Sequence, residues 1–333
     1  MKQLHTIDLS FDKSSENRYL SNTLITKIWE TLENWEKILL YLNKRGNFSS
    51  YICSDCSYIY SCPSCDLSLN IHANPERIMC HHCFYECSLA STCWHCGWIE
   101  LKKVWVWTEQ IEWSIGKLFP KASIYRFDTD NLKNVSSKKM ALRRLESTDI
   151  IIGTKMITTG FNIKNIWLIW VILIEQELNI PKYNTEEQVY SNLRQLIGRW
   201  GRVWQKTEIV LQTFAINNPL IQHITQKNYR DFFMETLTER KLFLYPPFYE
   251  LVYIVHKNID REKSLKLSEK LYNQLLEKNS SQNNSITLVW KPIKRNNQYF
   301  SKIIIKWEDL RNFLEPFRKI ILKDSNISII FEV

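Results

Sequence analysis

Four Cys-x-x-Cys pairs within 44 residues constrain the fold of this chain more than any other feature of the sequence. Each pair can present two thiolates to one tetrahedral zinc ion, with bonds of about 2.3 Å. Eight ligands predict two closed sites, and closed all-cysteine sites are structural because a catalytic zinc keeps one position open. An iron–sulfur site is the alternative, since thiolates also suit iron. The predicted ligands are Cys53, Cys56, Cys62, Cys65, Cys80, Cys83, Cys93 and Cys96.

The spacing alone does not fix which pairs share a metal. Cys87 is left over, and four histidines lie in or near the block. Because eight thiolates already complete two tetrahedral sites, we expect the histidines to surround the sites rather than bind metal. These histidines are His72, His81, His82 and His95.

Charge and apolar runs indicate the setting in which the chain works. Lys and Arg number 44 against 35 acidic residues, a formal net charge of +9. This favours an anionic partner such as nucleic acid, with a solvated basic surface as the alternative. The longest apolar run, IWLIWVILI at 166–174, is far shorter than the about 20 residues that cross a bilayer. The start, MKQLHTIDLS, lacks the apolar segment of a signal peptide. We therefore expect a cytoplasmic protein whose cysteines bind metal.

Strand-like and helix-like segments alternate along most of the chain, which predicts an α/β layer with a mainly parallel sheet. Paired prolines in YPPF, 245–248, predict a break, and a small α/β or α+β domain is expected beyond it. Thr108 is a candidate N-cap for the helix that follows the cysteine block. The predicted helices include 22–34, 108–119, 138–146 and 186–198, and the predicted strands include 123–127, 149–154, 167–174 and 207–213.

Two segments carry candidate nucleotide or nucleic-acid chemistry. In QLIGRWGR, 195–202, Arg199 and Arg202 stand three apart near a predicted helix end. Two guanidinium groups there suit the stabilisation of phosphate charge, although a basic helix end that complements the helix dipole is an equal alternative. In IIIGTKMITTGFN, 150–162, a strand ends in Gly-Thr and a second glycine follows. Such amides and hydroxyls can hold phosphates at the carboxyl end of a strand.

Taken in order, these segments resemble the bacterial replication-restart helicases of the PriA family, also called primosomal protein N′. The resemblance runs from about residue 5 to the end of the chain. It is carried by YLNKRG, the four cysteine pairs with CPSCDLSLNIH, IIIGTKMITTGFNIKN, QLIGRWGR and YPPF.

The resemblance implies the second, RecA-like lobe of a superfamily 2 helicase with a two-zinc module inserted and a C-terminal domain appended. Residues 1–52 and 99–244 would form the lobe, 53–98 the zinc module and 245–333 the C-terminal domain. It also implies that the outer pairs, Cys53/Cys56 with Cys93/Cys96, share one zinc. The inner pairs, Cys62/Cys65 with Cys80/Cys83, would share the other.

By the same resemblance, Gln195, Arg199 and Arg202 would face the γ-phosphate of ATP. Gly153, Thr154 and the loop to Gly160 would couple the nucleotide state to the DNA strand.

The chain also departs from the family pattern. No G-x-x-x-x-G-K-[ST] phosphate loop occurs in the sequence, so the arginines have no ATP/Mg²⁺ site to face within these residues. Lys155 stands where the family usually has Gln, and Asn162 stands where it has Asp. Glu175 stands at a position where the family often has an acidic residue.

With these departures, the resemblance implies the C-terminal half of a 3′→5′ replication-restart helicase. It would bind forked or single-stranded DNA, join primosome proteins, and need a first lobe from another chain. The alternatives are a non-enzymatic, zinc-containing DNA-binding and primosome-recruitment module, or a truncated gene product.

Tryptophan is unusually frequent in this chain and glycine unusually rare. There are 13 tryptophans and 7 glycines, whereas average usage predicts about 23 glycines. Several tryptophans stand where the family has turn glycines, and some bacteria read UGA codons as glycine while others read them as tryptophan. We interpret these positions as UGA codons read with the wrong table; a base-stacking surface is the alternative. The best candidates are Trp35, Trp105, Trp107, Trp204 and Trp290, followed by Trp98, Trp170 and Trp200.

Overall fold

The computed structural model describes most of the chain. It describes residues 4–12, 14, 17, 19–42, 50–53, 55–56, 58–64, 67, 69–73, 76–80, 83, 85–104, 108–127, 135–158, 163, 165–178, 180, 182–200, 207–226, 228–278, 284–295 and 297–332. Some side chains within these ranges are not described.

The described residues form fifteen strands and eleven α-helices. The strands are β1 (Leu4–Asp8), β2 (Lys37–Tyr41), β3 (Ser50–Cys53), β4 (Leu69–Ala73), β5 (Glu76–Cys80), β6 (Glu86–Cys87), β7 (Leu101–Val104), β8 (Ile124–Phe127), β9 (Ile150–Gly153), β10 (Ile166–Val171), β11 (Glu208–Thr213), β12 (Glu250–Asn258), β13 (Ser285–Arg295), β14 (Gln298–Trp307) and β15 (Ile327–Glu332). The helices are α1 (Asn22–Glu33), α2 (Thr108–Leu118), α3 (Val135–Ser147), α4 (Lys155–Thr158), α5 (Glu175–Leu178), α6 (Thr185–Trp200), α7 (Pro219–Gln226), α8 (Tyr229–Leu242), α9 (Arg261–Glu277), α10 (Leu310–Leu314) and α11 (Arg318–Lys323).

The chain divides into two compact units. The first comprises residues 1–61, 68–78 and 87–229, and the second comprises 62–67, 79–86 and 230–333. The four-part division predicted from the sequence is finer than this and stays a prediction.

A six-stranded sheet in the order β1-β11-β10-β2-β9-β8 forms the centre of the first unit. Its neighbouring strands pair in parallel throughout. Strand β9 is buried at every position, as expected for a parallel strand covered on both faces. On one face, buried side chains of the sheet pack with those of α1 and α2, including Ile38, Ile152, Leu168, Ile28 and Ile111.

Along the chain, the cysteine-rich segment lies between β2 and β8 of this sheet, although its residues 62–67 and 79–86 are assigned to the second unit. It begins with β3 and ends with β7, and these two strands pair antiparallel with Ser50 opposite Val104. Between them, β4, β5 and β6 form a three-stranded sheet. The insertion therefore starts and ends at neighbouring points.

In the second unit, a four-stranded sheet has the order β13-β14-β12-β15, with antiparallel pairing. Helix α9 begins at an Asp260 N-cap whose carboxylate accepts from the amides of Glu262 and Lys263. Leu271 and Leu275 of α9 pack with alternate residues of β12 and β14, such as Val252, Ile254 and Ile303. This alternation is the period-2 pattern of a sheet covered on one face by a helix.

The predicted fold class is confirmed: a parallel sheet with helices, an inserted cysteine segment and a smaller α/β C-terminal part. Three details differ from the sequence prediction. The strand predicted over 167–174 ends at Val171. Helix α2 begins at Thr108 itself rather than being capped by it. Strand β1, with its mixed LHTID sequence, was not predicted and lies at the edge of the sheet.

Helix α1 ends in a Schellman-type turn that carries tryptophan where glycine is usual. The amide of Trp35 donates to the carbonyl of Leu32, and the amide of Glu36 donates to the carbonyl of Thr31. Trp35 has a φ of 58° and its side chain is 94% exposed. Both observations favour the glycine interpretation at this position. Trp170 differs, because it is fully buried and its indole N–H donates to Gln212 at 3.1 Å. Trp105, Trp107 and Trp204, and the side chains of Trp200 and Trp290, lie outside the described residues.

Candidate metal centre and sheet-edge site

The first candidate metal centre consists of the four outer cysteines. The sulfur atoms of Cys53, Cys56, Cys93 and Cys96 all lie within 4.8 Å of one another. The Sγ atoms of Cys53 and Cys96 are 3.6 Å apart, and those of Cys56 and Cys93 are 3.7 Å apart. Thiolates around one tetrahedral zinc, with bonds of about 2.3 Å, are separated by about 3.8 Å. The residues present therefore fit one zinc ion.

Backbone amides donate hydrogen bonds to two of these sulfurs, which favours the thiolate form, although burial still raises the pKa of Cys53. The amide of Asp55 donates to Cys53 Sγ, and the amide of His95 donates to Cys93 Sγ, each at 3.4 Å. Burial alone would raise the pKa of Cys93, but hydrogen bonds from backbone amides and neighbouring thiols outweigh it and lower the pKa to about 7. Burial raises the pKa of Cys56 to about 12. A divalent cation would favour the thiolate form of all four.

The second candidate metal centre groups Cys62, Cys80 and Cys83. Cys80 ends strand β5, and the sulfurs of Cys62 and Cys83 are 3.4 Å apart. The predicted fourth ligand, Cys65, lies outside the described residues. Cys87 belongs to neither group within the described part of the chain. The structure thus separates outer from inner cysteines in the way that the family resemblance implies.

An aromatic cluster adjoins the outer cysteines. The ring of Tyr58 stacks on His95 with centroids 5.7 Å apart, and the buried Tyr60 packs against Trp94 at 4.7 Å. The hydroxyl of Tyr60 donates to the carbonyl of Thr92 at 3.0 Å. His95 therefore acts as a packing partner, as expected of a histidine outside the ligand set. The side chain of His72, and all of His81 and His82, lie outside the described residues.

The sheet-edge site starts where β9 ends, at Gly153 and Thr154. A Cβ on Gly153 would meet the Cδ1 atom of Ile157 at 2.8 Å and its Cβ atom at 3.2 Å. A side chain here would push against Ile157, so glycine allows α4 to lie close to the end of the strand. The amide of Leu42 donates to the carbonyl of Gly153 at 2.9 Å, which ties the ends of β2 and β9 together.

Helix α6 holds the remaining predicted site residues that are described. Gln195 is exposed, and its amide donates to Ser191 Oγ at 3.4 Å. The backbone of Arg199 lies in the last turn of α6, while its side chain is not described. Arg202 and Gly160 lie outside the described residues. The roles assigned to these residues thus stay predictions.

Buried polar residues at the same edge were not predicted as a site. Glu175 Oε1 accepts from the amides of Phe214 at 2.7 Å and Ala215 at 2.9 Å, and from the hydroxyl of Thr213. Burial raises the pKa of the Glu175 carboxyl, although these hydrogen bonds lower it in part. The fully buried Gln212 donates to the carbonyl of Tyr19 at 2.8 Å and to that of Ile172 at 2.7 Å.

A second buried carboxylate, Glu177, bridges a strand and a helix. Its Oε1 accepts from the hydroxyl of Tyr41 at 2.7 Å, and its Oε2 accepts from the side-chain amide of Asn192 at 3.1 Å. The only sequence signal for this group is the placement of two glutamates directly after an apolar strand, where water-facing residues would be expected.

Sequence comparison finds relatives over most of the chain. Replication restart protein PriA of Bacillus subtilis is 30% identical over 278 residues, which cover 81% of this chain and 34% of that protein. Replication restart protein PriA of Chlamydia pneumoniae is 30% identical over 284 residues, covering 84% of this chain and 38% of that protein. The chain thus spans about a third of the length of the curated relatives it matches. No family model matches it.

Structure comparison adds little. The C-terminal domain of the DEAD-box protein Dbp5 aligns with 69% of this chain at 10% identity, covering 86% of that domain, but the TM-score is 0.33. A score this low carries no argument about fold. Within the part of the chain that the structure describes, no helix is both long and apolar enough to traverse a bilayer.

Proposed function

Because this chain is a homologue of replication restart protein PriA over about four fifths of its length, we propose that it supplies the second helicase lobe, zinc module and C-terminal domain of a 3′→5′ DNA helicase. The lobe would bind and hydrolyse ATP only with a first lobe that carries the phosphate loop. We further propose that the assembly works in the cytoplasm on forked or single-stranded DNA, with primosome proteins.

The observation that carries this proposal is the interruption of one parallel sheet by a two-centre cysteine module. Both cysteine groups fall between β2 and β8 of the same sheet. PriA of Bacillus subtilis aligns with 81% of this chain at 30% identity. A metal module inserted at that point, followed by a C-terminal α/β sheet, is what the resemblance implies.

Two structural zinc ions are the proposed cofactors. Cys53, Cys56, Cys93 and Cys96 would hold one, and Cys62, Cys65, Cys80 and Cys83 the other. The short sulfur–sulfur distances support a single ion in the outer site, because an iron–sulfur cluster binds its cysteines through different irons and spreads them further apart. Zinc would fix the module and supply no open coordination position.

The proposed nucleotide-facing residues are Gln195, Arg199 and Arg202 on and after α6. The guanidinium groups of Arg199 and Arg202 would stabilise the phosphate charge that develops during ATP hydrolysis. Gly153, Thr154 and Gly160 would pass the nucleotide state to the DNA strand, since the β9–α4 turn lies at the carboxyl edge of the parallel sheet, where such sites form.

Reconstitution with a first lobe tests this function. The zinc-loaded chain is mixed with the ATP-binding lobe of a related PriA, and ATPase activity is measured with and without forked DNA. We expect hydrolysis only in the mixture, with a loss of about 10³-fold or more in Arg202→Ala. Arg194→Ala, on the same helix, is the control and should retain activity. A mixture that binds DNA but never hydrolyses ATP would refute the helicase proposal.

A non-enzymatic DNA-binding module is the second candidate, favoured by the net charge of +9 together with the lack of a phosphate loop in the sequence. It predicts DNA binding by this chain alone, with an affinity that falls steeply as salt rises. Binding of a forked DNA at several salt concentrations, combined with the ATPase result above, separates the two functions.

A further inference from the structure

We infer that Glu177 is a positioning residue that fixes helix α6, and with it Gln195 and Arg199, against the end of strand β2. The geometry itself is independent of the proposed helicase function. Only the consequence for ATP hydrolysis rests on that function.

The clamp consists of three buried side chains from three elements. Tyr41 ends β2 and is 1% exposed, Glu177 lies on α5 and is 3% exposed, and Asn192 lies on α6 and is 6% exposed. One carboxylate oxygen accepts from Tyr41 at 2.7 Å and the other from Asn192 at 3.1 Å. The two oxygens therefore tie a strand and a helix to the same turn.

Because these side chains are buried, breaking either hydrogen bond is costly. A buried hydroxyl or amide that loses its acceptor bears a large desolvation penalty, so Tyr41 and Asn192 hold their partner in place. Burial, together with the neighbouring Glu177, raises the pKa of the Tyr41 hydroxyl well above its ordinary value. Tyr41 therefore remains a donor at every physiological pH.

The clamp contacts α6 close to the residues proposed to face the nucleotide. Arg199 follows Asn192 by seven residues, which is close to two helical turns and returns to nearly the same face. Gln195 lies one turn beyond Asn192. A shift or rotation of α6 at Asn192 would therefore displace the arginine that is proposed to meet the γ-phosphate, and small displacements of this kind are costly in catalysis.

Amide hydrogen exchange on the zinc-loaded full chain tests the clamp directly. We compare the wild type with Glu177→Met, which removes both acceptors, Tyr41→Phe, which removes one donor, and Glu177→Gln. We expect exchange in residues 192–200 to speed up roughly tenfold or more in Glu177→Met and less in Tyr41→Phe. Glu177→Gln should restore protection, because its amide oxygen still accepts from Tyr41 and the Asn192 amide can reverse. Glu186→Gln, exposed on α6, is the control and should match the wild type.

Unchanged exchange in Glu177→Met would overturn the clamp. If Glu177→Met does not fold, Tyr41→Phe and Glu177→Gln decide, since a clamp predicts faster exchange in the first and protection in the second. Equal exchange in Tyr41→Phe and wild type would then refute it.

Hydrolysis by the reconstituted pair tests the positioning role. We expect Glu177→Met to lower kcat roughly tenfold with little change in KM for ATP, and to cause no further loss in an Arg199→Ala background. Independent, multiplicative losses would show that Glu177 does not act through Arg199. A wild-type pair without any ATPase activity would refute the proposed function, while the exchange experiment would still judge the clamp.

Discussion

The cysteine module and the six-stranded sheet are stabilised in different ways, although they lie in one stretch of chain. The central strands of the sheet are almost continuously buried, with Ile38, Ile152 and Leu168 at most 1% exposed. The module has strands of only two to five residues, and its described buried side chains include four cysteines and a small number of scattered aromatic and aliphatic residues. A region with so little apolar core needs another source of stability, and thiolate–metal bonds are the source that its residues provide.

Because their sources of stability differ, the two regions should unfold independently of each other. The sheet depends on the burial of apolar area, which any volume change disturbs. The module depends on a chemical bond that a chelator can remove. Each perturbation below is designed to affect one region and spare the other.

Metal removal should have the largest effect. Zinc binding contributes about 10–16 kcal/mol to small structural sites, so chelation should unfold residues 53–96 while the sheet keeps its protection. Hydrogen exchange with and without chelator measures this, alongside zinc content. We expect two zinc ions per chain, one in Cys53→Ser and still two in the control Cys87→Ser. A module that stays protected after the metal has left would contradict the comparison.

A cavity in the sheet should have the next largest effect. Ile152→Ala removes a fully buried side chain of β9 and should lower the free energy of unfolding by about 2–5 kcal/mol. Denaturant unfolding measures the loss, and zinc content should not change. Met140→Ala, with a side chain 61% exposed, is the control and should cost little. Loss of zinc in Ile152→Ala would show that the two regions are coupled.

The second unit adds a pH-dependent contribution to stability through a buried histidine. His256 is buried, and its Nδ1 lies 2.8 Å from Ser268 Oγ in a cluster with Ser264 and Ser301. Burial lowers the pKa of His256, although Asp324 raises it in part. The unfolded state thus binds more protons, and stability falls as the pH drops below about 6.5, by at most about 1.4 kcal/mol per pH unit.

Denaturant unfolding at several pH values between 5 and 8 measures this effect, and hydrogen exchange is used to monitor the second unit. His256→Gln should flatten the pH profile. An unaltered profile in that variant would assign the dependence to other groups.

The smallest expected effect is stabilisation by Trp35→Gly. Trp35 has a left-handed backbone conformation that costs free energy for tryptophan but not for glycine. This saving outweighs the added conformational entropy of glycine in the unfolded chain, so we expect the free energy of unfolding to rise by roughly 0.5–1 kcal/mol. Thermal unfolding measures it, with the exposed Trp29→Gly, inside α1, as a control that should destabilise. Peptide mass spectrometry of the native protein gives the residue itself: tryptophan mass at 105 and 107 would refute the glycine interpretation.

Local sequence patterns predicted much of the fold. The parts that they did not predict depend on contacts between residues far apart in the sequence. The apolar runs DIIIGT, 149–154, and WLIWVILI, 167–174, predicted strands, and the structure forms the buried parallel strands β9 and β10 there, with β10 ending at Val171. The cysteine spacing predicted two metal-binding groups, and the structure forms them among the described residues. The order of the strands, and the bridge from Glu177 to Tyr41 across 136 positions, left no local signature. Such contacts depend on which elements meet, and spacing along the chain does not encode that.

The antiparallel pairing of β3 with β7 also bears on how the chain acquired its present form. Because Ser50 and Val104 are opposite each other, the whole segment between them closes at its base like a long hairpin. The loop-closure free energy grows by only about 0.6 kcal/mol for each doubling of loop length, so the sheet is nearly indifferent to what the hairpin contains. The module can therefore be gained, shortened or exchanged by one in-frame event, and replacing 50–104 with a short turn would give a minimal sheet domain for separate study.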